Sequence, residues 1–185
     1  MPTPFVILIL VIAAILVGAM MLYNSLVQMR QLLRNAWADV DVYLKRRAEL
    51  IPNLVTAVKA YASHESTVLS AVTEARAQAA ALHSPDATKA DAESRLGGAL
   101  FNVIAVAENY PDLKASSNFI QLQGELSDTE RLIASARQYY NACVRDYNTK
   151  LEQFPSVLIA GAMGLKHEQF FELSDPLERA VPGVS

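Results

Sequence analysis

The sequence predicts an all-α fold: an antiparallel bundle of three to four long helices, with an N-terminal transmembrane helix continuous with the first soluble helix. Three observations carry this expectation. The run Phe5–Leu22 holds eighteen residues without a charge. From Leu26 onward apolar residues recur at alternating three- and four-residue spacing, the period of a helix that buries one stripe along its length. And β-branched alternation bounded by tight-turn dipeptides, the signature of strands, occurs nowhere in the chain.

The anchor comes first. At a rise of about 1.5 Å per residue, Phe5 to Tyr23 reaches ~28 Å, close to the thickness of a bilayer's hydrocarbon core. A cleaved signal peptide would call for a basic n-region and a small-x-small cleavage site. No Lys or Arg precedes this run, and Gly18 to Leu22 lead directly into the helical pattern, so a retained transmembrane helix is expected. The N-terminal side offers only the α-amine, whereas Arg30 and Arg34 follow closely and Lys45-Arg46-Arg47 lie beyond. Basic residues stay on the cytoplasmic side, which places the N-terminus outside and the C-terminal domain in the cytoplasm. Ala14 and Gly18 form a small-x-x-x-small pair that lets transmembrane backbones approach closely.

Along the soluble domain, a first apolar row reads Leu26, Leu33, Val40, Leu54, Tyr61, Val68, Ala75, and a second reads Trp37, Leu44, Ile51, Val58, Val72, Ala79. Pro52 falls inside this pattern and should kink or break the helix. The phase does not slip across it, which predicts one kinked helix reaching about Ala81; two helices joined at Ile51-Pro52 are the alternative. His83-Ser84-Pro85-Asp86 is a turn. Ala92, Leu96, Ala99, Val103, Val106 and Tyr110 mark a second helix, which Asn109-Tyr110-Pro111-Asp112 ends. Asn118 and Gln121 resemble a capping pair, and the stripe from Phe119 through Leu122, Leu126, Ile133, Ala136, Tyr140, Cys143 and Tyr147 to Phe154 marks a third. A short apolar stretch, Ser156 to Met163, follows Pro155 and is closed by Gly164. The resulting organisation is a tail and transmembrane helix over 1–23, a bundle over 24–171 and an irregular C-terminal tail over 172–185.

Composition narrows function. With 52% hydrophobic and 19% charged residues the chain has a core and is not disordered. Every side-chain charge lies from Arg30 onward and the net charge is −3, which argues against nucleic acid as a partner. A single cysteine, Cys143, excludes an internal disulfide framework and a thiolate-rich metal site. A di-metal bundle enzyme needs Glu-x-x-His on two helices, but the residues three before His64, His83 and His167 are Tyr61, Ala80 and Gly164. His64-Glu65 and His167-Glu168 are adjacent pairs pointing to different helix faces. Phosphate loops, nucleophile elbows and Cys-His pairs are absent. No catalytic, cofactor-binding or metal-ligating set is expected, and no cofactor.

What remains are polar residues on the apolar seam: Arg47 in the first row, Arg30 and Glu65 in the second. A charged groove for a partner and an ion pair that sets bundle register both explain such placement. Arg47 is expected to pair inside the bundle with a carboxylate such as Glu130, giving a structural polar seam of Arg47, Glu65 and Glu130. If the first helix runs to Ala81, the later helices cannot cover its whole stripe. The membrane-proximal residues Leu26, Leu33 and Trp37 then become candidates for self-association, unless the stretch Val157–Phe171 folds down over them.

Several words of the sequence resemble the LemA family: Tyr23-Asn24-Ser25-Leu26-Val27, Leu44 to Val55 (LKRRAELIPNLV), Val58 to Glu65 (VKAYASHE), Tyr110-Pro111-Asp112-Leu113-Lys114-Ala115, Asn118-Phe119, Thr129-Glu130, Arg137-Gln138-Tyr139-Tyr140-Asn141, Tyr147-Asn148 and Phe154-Pro155-Ser156. The likeness runs in order from Tyr23 to about Phe171, departing at Cys143, where a small residue is usual, and at Ser185, where an aromatic is. It implies a bacterial protein of the inner membrane with a cytoplasmic bundle of long helices, and no settled activity. One relative in the family is tied to forming magnetosome membranes, a hint toward membrane shaping. The expected function is a membrane-anchored, non-enzymatic scaffold or adaptor that self-assembles as a homo-oligomer and organises membrane or cytoplasmic protein partners at the lipid bilayer. The alternatives are a membrane-remodelling oligomer and an accessory subunit of a membrane enzyme or signalling complex.

Overall fold

The computed structural model describes residues 3–173. The described residues form α1 (Thr3–Lys59), α2 (Ser66–Ala80), α3 (Ala87–Ala107), α4 (Pro111–Lys114), α5 (Ser117–Glu152) and α6 (Ser156–Ala162), with no strand among them. Of the expected tail over 172–185, all but Glu172 and Leu173 lie outside the described residues.

Helix α1 runs unbroken for 57 residues, about 86 Å at the usual rise. Its N-terminal segment is apolar on every side, and its large side chains from Phe5 to Met21 face outward. It is the one described helix long and apolar enough to cross a membrane, and it fits a single-pass membrane protein. The helix continues through Pro52 into the bundle. Proline has no N–H, so the carbonyl of Ala48, four residues back, loses its intrahelical donor. Arg76 of α2 supplies a replacement, its Nε donating to the Ala48 oxygen at 2.7 Å. The Thr56 hydroxyl donates to the Pro52 carbonyl at 2.8 Å. Neither expected path for this region is the observed one: the chain does not break at Ile51-Pro52, and the helix does not reach Ala81. It ends at Lys59, and α2 turns back antiparallel beside α1. The seam shifts by one residue at the turn, so Ala62 is buried while Tyr61, expected on the stripe, is 47% exposed. A straight continuation would have carried Leu69, Val72 and Ala79 past the end of α5, whereas the return buries all three in the core.

Helix α3 follows a turn capped by Asp86, whose carboxylate accepts from the Lys89 amide at 2.9 Å. Its backbone lies against α2 and α4, and its side chains Leu96, Leu100 and Val103 reach the core shared with α1 and α5. Helix α5 starts at Ser117, so the expected Asn118–Gln121 cap does not form; the Gln121 side chain donates to Glu125 instead. It then runs antiparallel along α1. Two cores result. A distal one joins Ile51, Leu54 and Val58 to α2, α3 and α4. A proximal one joins Leu26, Leu33, Val40 and Leu44 to Ile133, Tyr140, Tyr147 and Leu151 of α5.

The proximal core overturns the expectation that Leu26, Leu33 and Trp37 form a self-association face. Leu26 and Leu33 are buried, and Trp37 is half-buried within its own chain. The reason is that α5 is long enough to reach Leu26, and the chain then folds back over the seam. After α6, Gly164 takes φ +63°, a left-handed turn suited to glycine, and residues 165–173 form a non-helical strap along α5. Phe171 of the strap is fully buried, its ring edge-on to Trp37 at 5.0 Å, and Tyr140 meets the other side of the indole at 5.5 Å. The strap is held by backbone reading. The Asn148 amide donates to the Glu168 carbonyl (2.9 Å) and accepts from its N–H (3.0 Å), and Asn141 does the same for Phe171 (3.2 and 2.9 Å). The Tyr140 hydroxyl donates to the Gln169 carbonyl at 3.2 Å.

Candidate functional site

The seam between the two cores carries a buried charge cluster. Arg47 projects from α1, 2% exposed. Its Nη1 donates to Glu130 of α5 at 2.9 Å and 3.2 Å, and its Nη2 to the Glu93 carboxylate of α3. The other oxygen of Glu93 takes Lys89 at 2.7 Å, and Lys89 also donates to the Ala79 carbonyl at 2.9 Å. Two cations therefore meet two anions. Burial by itself would lower the pKa of Arg47, but the charges of Glu130 and Glu93 and the hydrogen bonds to both hold it above its usual value. Lys89 and Glu93 are almost as buried as Arg47, whereas the Glu130 side chain is 46% exposed. Its carboxylate is the member of the set that water reaches. Helices α1, α3 and α5 thus each contribute charge to the site, and α2 contributes the Ala79 carbonyl.

Of the polar residues singled out on the seam, Arg47 and Glu130 meet. Glu65 does not join them; it lies at the far end of the bundle, where its carboxylate accepts the Tyr110 hydroxyl at 3.2 Å. Arg30 is exposed. Ala14 and Gly18 sit in the membrane-crossing segment of α1, and a Cβ added at Gly18 would meet nothing within 4 Å. Cys143 is buried in the proximal core. Glu93 and Lys89 are the participants that sequence reasoning missed, and a signal for them existed. The buried row of α3 is Lys89, Glu93, Leu96, Leu100, Val103, Ala107, spaced alternately four and three apart. The row read from sequence starts at Ala92, which is itself buried; Glu93 shares that face and Lys89 extends it toward the helix N-terminus.

Above the cluster a cleft of about 360 Å³ opens between α3 and α5, within the size range of ligand and peptide sites. Phe101 and Ile104 form one wall, Leu126 and Ala134 the other, while Arg47 and Glu93 lie at its floor and Glu130 at its side. Phe101 is 54% exposed although it is a large apolar side chain. Gly97 also lines the cleft, and a Cβ placed there would meet nothing within 4 Å. Among the described residues no three His, Cys, Asp or Glu side chains come together as metal ligands would. Chemically, the site is an apolar trough over charges that already satisfy one another.

The sequence model of the LemA family matches residues 36–185. The chain belongs to the LemA family. Among curated relatives, Protein LemA of Metamycoplasma hominis is 26% identical over 156 residues, covering 82% of this chain and 69% of that protein. Magnetosome protein MamQ of Magnetospirillum gryphiswaldense is 25% identical over 188 residues, covering 88% and 69%. Magnetosome protein MamQ 2 of Paramagnetospirillum magneticum is 24% identical over 192 residues, covering 90% and 71%. The LemA match begins at Ala36, past the apolar run, so the family region includes the charge cluster, the cleft and the strap.

Proposed function

We propose that this LemA-family protein is a non-enzymatic adaptor of the bacterial inner membrane, with its N-terminus outside and its bundle in the cytoplasm, which self-associates and holds protein partners at the bilayer. The observation that carries the reading is the cleft between α3 and α5. Its walls are mainly apolar, with Gln123, Ser127 and Arg137 among them, and Arg47, Glu93 and Glu130 pair with one another, an arrangement suited to seating a partner's amphipathic helix and not to turning over a substrate. The unbroken α1 then holds that cleft at a fixed height above the membrane. Self-association rests on Ala14 and Gly18 in the transmembrane segment, because the soluble seam is covered by its own chain.

The test compares full chains purified from native membrane in mild detergent. Gly97→Leu fills the cleft from a position with open space beside it. It should remove the proteins that co-purify with the unaltered chain and leave the assembly mass unchanged. Gly18→Ile should do the reverse, lowering the mass and sparing the partners. An unchanged set of partners with Gly97→Leu overturns the cleft as their seat. For orientation, Ser84 is exposed and the native Cys143 is buried. A Ser84→Cys chain in intact cells should escape a thiol label that cannot cross the inner membrane; efficient labelling reverses the topology.

A second reading, an oligomer that reshapes the bilayer, is favoured by the apolar side chains exposed on α6 at the membrane end of the bundle and by relatives named as magnetosome proteins. Purified full chain that deforms liposomes unaided would support it over the adaptor.

A further inference from the structure

Helix α6 has two faces, and among the described residues only one has a partner. Ser156 and Ala160 are buried, and Ile159 and Met163 pack beside them on the proximal core. The other face carries Phe154 just before the helix, 81% exposed, with Leu158 at 65% and Val157 at 42%. From Phe154 to Leu165 the chain has no charge; Glu152, 3.4 Å from His167, precedes the stretch and Lys166 follows it. An apolar face of this kind standing in water has an unfavourable hydration free energy.

The fold fixes where this face points. Helix α6 packs on both α1 and α5, and its buried residues share a core with Leu26 and Leu151. Leu26 is three residues past Tyr23, about 5 Å along α1. The headgroup zone on each side of a bilayer is about 5–8 Å deep. The turn Phe154 to Leu158 therefore lies at headgroup level beside the emerging transmembrane helix, continuous with a lipid interface the chain already has.

We propose that Phe154, Val157 and Leu158 form a second lipid contact, an interfacial wedge whose apolar face enters the boundary between headgroups and acyl chains of the cytoplasmic leaflet, with the exposed Lys166 at the headgroups beside it. An exposed apolar face backed by a packed one, at the level where a membrane anchor emerges, is the pattern of membrane-surface helices. The consequence is mechanical. A single crossing helix leaves the bundle free to swivel and tilt, and two contacts on different elements seat it. The inference rests on the membrane anchoring proposed above.

The test uses the full chain reconstituted in vesicles of phosphatidylcholine and phosphatidylglycerol, with bromine on the acyl chains of a matched set. Single tryptophans are placed at exposed positions, so the fold is preserved: Leu158→Trp, Phe154→Trp, Leu16→Trp for the anchor and Tyr61→Trp for the far end. Native Trp37, about 21 Å above Tyr23, is out of reach of the quencher and serves as the reference. The expected result is emission lowered roughly twofold at 154 and 158, at the shallow depth of an interfacial helix, with Tyr61→Trp unaffected. Quenching of Leu16→Trp with none at 154 or 158 overturns the wedge and leaves the anchor standing. No quenching of Leu16→Trp overturns the anchor itself. Blue-shifted but unquenched emission at 158 that relaxes as lipid dilutes the protein assigns the face to a second copy, and this too overturns the proposal.

Discussion

The proximal and distal halves of the bundle solve the same problem in opposite ways. Both must cover one stripe of α1. The proximal half does so with the long helix α5, the short α6 and nine residues of non-helical chain, sealed by Phe171 against Trp37 and Tyr140. The distal half uses three helices and remains open, with an apolar cleft over a buried charge cluster. Irregular backbone cannot lie on a core with its amides unpaired, and Asn141 and Asn148 remove that obstacle by bonding both the N–H and the carbonyl of a strap residue. The proximal half is thus finished within one chain. The distal half keeps an open cleft beside the stripe.

The largest effect expected from this comparison lies in the sealed half. Phe171→Ala removes a fully buried ring and should cost about 3–5 kcal/mol. Because the strap is the last element to dock, the loss should be local: hydrogen exchange at 165–173 becomes fast while α2 and α3 keep their protection. Equal loss of protection in both halves would show that the two cores are one cooperative unit. Arg47→Met acts at the junction instead. It leaves Glu93 buried with Lys89 as its remaining cation, so the cost should sit near the low end for breaking a buried pair, about 3 kcal/mol. Glu130→Gln, whose side chain is nearly half exposed, should cost about 1 kcal/mol or less. Urea titration of the three full-length proteins in the same detergent gives the ranking, and an equal cost for Arg47→Met and Glu130→Gln would show that Glu93 takes little part.

How much of this was legible in sequence divides along the same line. The α5 stripe was read correctly from Phe119 to Tyr147, because long side chains at regular spacing leave one choice of face, but Phe154, expected on it, lies past the helix end and is 81% exposed. The long apolar N-terminal helix was legible from composition and length, and its passage through Pro52 from a phase that did not slip there. The turn at Ala60–Glu65 was not. It contains neither Gly nor Pro, and what ends α1 there is tertiary: α5 begins at that level, and α2 buries more by returning than by continuing. The Lys89–Glu93 half of the polar seam was missed because the sequence row starts at Ala92, which is itself buried, while Glu93 shares that face and Lys89 extends it toward the helix N-terminus. Strap and cleft left no trace in periodicity, since both depend on where non-neighbouring helices stand off from one another.

Tyr140 gives a smaller effect with a definite sign. Burial, aided by the nearby charge of Glu168, raises its pKa from 10.0 to about 12. Ionisation is therefore easier in the unfolded chain. The stabilisation is fully present below pH 10 and is lost as pH rises from 10 toward 12, at about 1.4 kcal/mol per pH unit. Tyr140→Phe should flatten that alkaline slope by up to about 2–3 kcal/mol while losing about 1 kcal/mol at neutral pH with its bond to the Gln169 carbonyl. A melting series from pH 7 to 12 on both proteins checks it, and parallel curves would place the alkaline sensitivity on other tyrosines.

The smallest expected effect tests the open half most directly. Gly97 is an interior residue of α3, where glycine is about 0.8–1.0 kcal/mol less favourable than alanine because it loses more backbone freedom on folding. In a closed core such a residue is often explained by close approach of a neighbour. Gly97 has no such neighbour, since a Cβ there would meet nothing within 4 Å and its open side is the cleft. Gly97→Ala should therefore stabilise the isolated protein by about 0.5–1 kcal/mol. If the cleft seats a partner, the same methyl group should narrow the trough and weaken capture, so stability and binding move in opposite directions. Leu96, next to Gly97 in sequence but fully within the core, provides the contrast: Leu96→Ala should lower stability and binding together. A Gly97→Ala protein that is less stable than its parent would mean that α3 and α5 close on each other, and the distal half would then be as sealed as the proximal one.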